Sequence, residues 1–136
     1  MNKKLLMGFI AAFVVSEILM YIVNVVILGP TYAMIHVWRT DMQSKVWIYH
    51  LINLIGSFFF AFIFSEGREG KGVMEGVRYG LYIGIWLSVG MAYGSYAMID
   101  IPYSLALQWF IYGVIQYVIT GAVVAYVFDM GSKPAS

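Results

Sequence analysis

Apolar residues run through this chain in four long stretches, 5–28, 46–65, 74–98 and 103–128, separated by short polar connections. Crossing a hydrocarbon core takes about 20 residues of helix, so each stretch predicts a transmembrane helix. The first is expected to end at Gly29 and Pro30, because proline cannot continue a helix without losing a hydrogen bond. The fourth follows Asp100, Ile101 and Pro102, which supply an N-cap residue and a proline for the first turn. The longer stretches, rising about 1.5 Å per residue, are expected to tilt. This pattern predicts an all-α integral membrane protein: a four-transmembrane-helix bundle in one domain, 1–130, with a disordered tail at 131–136.

Within the third stretch a second pattern is superimposed. Small residues fall at every fourth position, Gly72, Gly76, Gly80, Gly84, Ser88 and Ala92, on one narrow helical face. In water such glycines would weaken a helix by about 1 kcal/mol each. In lipid they let two backbones approach, because association there depends on packing. This stretch is therefore expected to be the central packing helix.

Of the connections, 31–45 (TYAMIHVWRTDMQSK) places Met34, Val37, Trp38 and Met42 at helical spacing, which predicts a short helix lying on the membrane interface. The connection at 65–72 (SEGREGKG) reads as a solvated, mobile turn. Its GREGKG segment lacks the spacing of a phosphate-binding loop. The tetrapeptide at 32–35 recurs at 96–99, but few other positions extend the echo.

Composition agrees with the pattern. The chain is 62% hydrophobic and 11% charged, with a mean hydropathy of +0.81, against about 25% charged in soluble domains. The 136 residues include no cysteine, which removes disulfides and thiolate sites, and a net charge of +1 gives no footprint for nucleic acid. The apolar run after Lys3 and Lys4 continues to Leu28 without a small-residue cleavage site, so it reads as a retained span. Basic residues set the orientation. With the N-terminus inside, Lys3, Lys4, Arg68, Lys71, Arg78 and Lys133 are cytoplasmic and only Arg39 and Lys45 are outside, which predicts both termini in the cytoplasm.

Candidate chemistry lies in the polar groups within the apolar stretches. Glu17 is the one acidic residue deep in a span, where a charged carboxylate is costly and the neutral acid, donating a hydrogen bond, is the cheaper state. Tyr21 and Asn24 follow on the same helical face. His50, Asn53 and Ser57 form a stripe on the second helix, and Gln108, Tyr112, Gln116 and Thr120 one on the fourth. Counted inward, Asn24, His50 and Gln108 lie about one turn deep, and Glu17, Ser57 and Gln116 near the middle. Together they predict a polar seam facing the bundle interior, which either ties helices together or serves as a solute or proton site. Near the inner surface Glu75 and Arg78, three apart, are expected to share a mixture of two roles, a local ion pair and the snorkelling of Arg78 to lipid phosphate.

Cofactor and catalytic readings find little support. A b-type haem needs two facing axial ligands, and His36 lies beyond Pro30, outside the spans. Glu17 and His50 are too few for a metal and are expected at different depths. No Ser–His–Asp arrangement or paired carboxylates suggest an enzyme, and the nine methionines are scattered as core fillers are. No cofactor or metal is expected.

The segments WRTDM (38–42), EGVRYGLYIG (75–84) and IPYSLALQW (101–109) resemble those of a group of small bacterial inner-membrane proteins with four spans. The resemblance implies the bacterial cytoplasmic membrane and a four-helix fold, and it brings no catalytic residue. Two functions then compete. One is association, as a homo-oligomer or accessory subunit among membrane lipid and other subunits. The other is a small carrier or channel using Glu17, Asn24, His50 and Gln116.

Overall fold

The computed structural model describes residues 3–38 and 40–131. It is all-helical, 87% helix with no strand among the described residues. The elements are α1 (Lys3–Tyr21), continued by a π-helical turn (Ile22–Ile27), α2 (Gly29–Ala33), a 3₁₀ turn (Met42–Lys45), α3 (Val46–Gly67), α4 (Val73–Met98) and α5 (Tyr103–Gly131). Three segments, Lys3–Ile27, Met42–Gly67 and Tyr103–Met130, are long and apolar enough to cross a membrane. At 26 residues α4 has the length, but its glycines, serines and tyrosines dilute its apolar residues. The disordered tail expected at 131–136 lies outside the described residues except for Gly131, which ends α5, and Arg39 and Lys133 of the charge count also lie outside them.

Contacts between early and late residues show the helices to be antiparallel neighbours. Gly8 near the start of α1 meets Phe128 near the end of α5, and Phe9 packs edge-on against Phe58 of α3. On α4, Gly76 faces Gly121 and Ala125 of α5, Gly80 faces the Tyr117 and Val118 backbone, and Gly84 faces Val114 and Tyr117. Ser88 sits over Gly113. The small-residue face of α4 is thus filled from within the chain, by an α5 face that has its own glycines at Gly113 and Gly121. Where neither helix carries a side chain, the backbones approach to contact, and dispersion replaces the water-driven term that lipid cannot supply.

Gly72 does not belong to this face. It precedes the helix as its N-cap with φ +86°, a left-handed conformation that suits glycine, and a Cβ there would meet nothing within 4 Å. Gly70, with φ +72°, turns the chain beside it.

The core has two parts. One lies among Leu5, Ala12, Phe60, Phe64, Val124 and Phe128, with Tyr79 and Tyr117 packed against it. Tyr79 fills the wider gap between α3 and α4, stacking at a tilt on Phe60 and donating its hydroxyl to the Phe60 carbonyl at 2.7 Å. The other gathers Val23, Leu28, Ile101, Leu105 and Ala106 at the opposite end.

The connections depart from expectation. In place of a helix over 31–45, the chain makes the single helical turn of α2 with Pro30 in its first positions, an irregular stretch from Ile35 to Val37, and a 3₁₀ turn. The cause is Tyr32, whose side chain is turned inward onto Trp109, while Trp38 Nε1 donates back to the Tyr32 carbonyl at 2.9 Å. The 65–72 turn is largely exposed, and it is hydrogen-bonded to the start of α4. Glu75 accepts from the backbone N–H groups of Glu69 and, at 3.0 Å, Lys71, so it holds the turn instead of pairing with Arg78. Arg68 reaches Asp129 at 2.9 Å and lies over the Phe128 ring.

Candidate functional site

The structure divides the expected seam into two clusters. The first joins α1 to α3. Glu17 lies 2.9 and 3.0 Å from His50 Nδ1, and its Oε1 accepts from Asn53 Nδ2 at 2.8 Å. Asn53 Oδ1 in turn accepts from Ser16 Oγ at 2.8 Å and from Ser57 Oγ at 3.4 Å. Ser16 can reach Asn53 because its residue number places it on the buried stripe of α1, four after Ala12. Asn53 therefore uses both ends of its amide, which fixes its orientation and that of the acid.

Glu17 and His50 were expected at different depths, and their contact corrects this. The Met42–Gly67 segment begins one turn earlier than Val46, so His50 is eight residues inside its start. Glu17 is ten residues from Ile27. Counted from those two ends, His50 and Glu17 stand at similar levels along the bundle. The pair does not face the bundle interior: the His50 side chain is 56% exposed and that of Glu17 26%. Among the described residues, His50 bonds only through Nδ1.

The second cluster sits at the end of the bundle formed by the π-helical turn, α2 and the start of α5. Tyr32 donates its hydroxyl to Asn24 Oδ1 at 2.6 Å and accepts from Trp109 Nε1 at 2.7 Å, while Asn24 Nδ2 donates to the Met20 carbonyl at 3.0 Å. Burial pushes the Tyr32 hydroxyl pKa above the ordinary tyrosine value, against the lowering effect of the Trp109 hydrogen bond, so this hydroxyl stays protonated and keeps donating. Asn24 is thereby engaged away from Glu17. Beside this cluster Met34, Ile35, His36, Val37, Asp100, Ile101 and Pro102 line a shallow cleft of about 460 Å³.

The remaining candidates join neither cluster by a hydrogen bond. Tyr21 is exposed, Tyr112 packs on the core around Leu105, and the side chains of Gln108 and Gln116 make no hydrogen bond among the described residues. Gln116 offers only its backbone carbonyl, to Thr120 Oγ1 at 2.8 Å. The residues the pattern missed are Ser16, Tyr32 and Trp109. Ser16 carried a signal, since it shares a face with Leu5, Ala12 and Val23. Tyr32 and Trp109 are 77 apart and carried none. Among the described residues no three His, Asp or Glu side chains are grouped to hold a metal ion. No protein-family model matches the chain, and neither does any curated protein or solved structure.

Proposed function

We propose that this chain is a multi-pass protein of the bacterial cytoplasmic membrane that acts by association, as a homo-oligomer or as an accessory subunit of a larger membrane complex. The observation that carries the reading is the Glu17–His50 pair on the outside of the bundle. Ionisable side chains within a membrane normally face protein or a water-filled cavity, and a lipid chain offers neither donor nor acceptor. A neighbouring protein would satisfy the outward edge. The experiment is subunit counting in lipid nanodiscs or liposomes, with identification of whatever co-purifies in mild detergent. The expected result is more than one chain per particle, or a stoichiometric partner. A lone monomer at every protein density would overturn the reading.

In this reading α4 also crosses the membrane, as the third of four spans, and both termini are cytoplasmic. Support comes from the continuous backbone contact of α4 with α5, along Gly76, Gly80, Gly84 and Ser88, which holds the less apolar helix beside a strongly apolar one. The outward residues of α4, among them Leu81, Trp86, Leu87 and Met91, are large and apolar. Reporter fusions at Gln43 and Gly70 are expected to give opposite signals, and matching signals would remove the four-span topology.

A second reading, a proton or solute carrier using Glu17, Asn24, His50 and Gln116, is favoured by one observation: two groups that exchange protons share a hydrogen bond between two segments apolar enough to cross a membrane. Titration is what separates the readings. Glutamine keeps a donor and an acceptor but cannot titrate. Glu17→Gln is expected to fold and assemble like the wild type, whereas Glu17→Leu loses about 1 kcal/mol through stranded partners. If the protein is a carrier, Glu17→Gln abolishes a pH-dependent flux in liposomes and His50→Ala shifts its pH profile. A flux unchanged by Glu17→Gln removes Glu17 from any proton path.

A further inference from the structure

We infer that the outward edge of the α1/α3 pair is a two-fold interface for a second copy of this chain, in which each copy's Glu17 meets the partner's His50. The inference rests on the association reading and deepens it by naming the partner. The first support is an unfilled valence. His50 is bonded through Nδ1 and leaves its second ring nitrogen on an exposed surface of a segment apolar enough to cross a membrane, where a lipid chain would offer it no hydrogen-bond partner. The Glu17 carboxyl, partly exposed beside it, has acceptor capacity beyond its contacts with His50 and Asn53.

The second support is self-complementarity. The acid stands on α1 and the base on the adjacent antiparallel α3, at one depth. A two-fold axis along the membrane normal preserves depth and exchanges left for right, so α1 of one copy faces α3 of the other. Only such an axis sets acid opposite base twice over with no residue of another protein required. An unrelated partner would have to bring its own base and acid at this depth and spacing. The surroundings suit a dry contact. Val14 and Tyr21 flank Glu17 at helical spacing, Trp47 and Leu54 flank His50, and all four are exposed.

The test exploits this pairing. Chains carrying Glu17→Leu keep only the base and chains carrying His50→Leu keep only the acid. Neither has the intrachain pair, but a mixed dimer regains one acid–base contact between copies. Each variant is labelled through a single Glu66→Cys, since the chain has no cysteine of its own, and the two are co-reconstituted in liposomes and counted by single-molecule colocalisation. In an equimolar mixture the ratio of mixed to like pairs is expected to exceed its random value of one by about threefold, the scale of one hydrogen bond between helices in a membrane. The exchanged variant, Glu17→His with His50→Glu, is expected to dimerise like the wild type, which guards against a folding defect in the single variants. Mixed pairs at the random proportion, or single variants that dimerise as well as the wild type, would overturn the interface. A wild-type monomer bound to a different membrane subunit would overturn the two-fold pairing and leave association standing. A wild-type monomer without any partner would overturn both.

Discussion

Gly80→Ala, the addition of one methyl group, is expected to destabilise the bundle by about 2 kcal/mol, and Gly80→Leu to separate α4 from α5 altogether. In a solvated helix the alanine would help, by up to about 1 kcal/mol. Here the new Cβ would fall on the Tyr117 carbonyl and within 2.9 Å of Val118 Cα. Both are backbone atoms of a helix, so neither can turn aside as a side-chain tip would, and overpacking of this kind costs about 1–3 kcal/mol. Gly90→Ala is the control, since a Cβ there meets nothing within 4 Å. It is expected to stay within about 0.5 kcal/mol of the wild type. Unfolding of the purified protein in mixed micelles, followed by circular dichroism, measures all three. Equal stability of Gly80→Ala and Gly90→Ala would mean that α4 and α5 are not in backbone contact.

Tyr32→Phe is the second large effect expected, a loss of about 2 kcal/mol. One oxygen atom is removed, and with it the acceptor for Trp109 Nε1 and the donor to Asn24 Oδ1. Asn24, Tyr32 and Trp109 are half-buried, and stranding groups shielded from water costs about 1–3 kcal/mol, more than the net worth of the bonds themselves. Trp109→Phe removes one of the two contacts, so combining it with Tyr32→Phe is expected to cost less than the sum, with a coupling of about 1 kcal/mol. Strict additivity would show that Tyr32 and Trp109 do not share a bond in the membrane-embedded protein. Trp38, which donates to the Tyr32 backbone carbonyl, keeps its partner in either variant.

The long helices were legible because three are long apolar runs and α4 carries its own every-fourth period, and α3, α4 and α5 begin within one residue of where the pattern places them. The every-fourth stripe on α4 was legible for the same reason: a period of about four residues along one helix is a local property. Its partner was not. Gly113 and Gly121 stand eight apart on α5, and the polar stripe at Gln108, Tyr112, Gln116 and Thr120 is the more visible pattern there, yet the glycines make the contact. The connection at 31–45 misled because Met34, Val37, Trp38 and Met42 do keep helical spacing. One side chain, Tyr32, finds its partner 77 residues away and draws the segment into a fold-back.

What the sequence by itself determined is therefore everything that depends on neighbours along the chain: apolar length, helical period, the breaks at glycine and proline, and the presence of an acid and a histidine inside apolar stretches. The tertiary structure decided which helix fills the glycine face, that Glu17 and His50 share one depth, and that their pair opens outward rather than into the bundle. The physical reason is rotation and shift. A helix can turn about its axis or slide by one residue, about 1.5 Å, without altering its own hydrogen bonds. Its azimuth and depth are set by packing against other helices, here by backbone contact at Gly76 and Gly80 and by the bonds that Asn53 makes to Ser16 and Glu17.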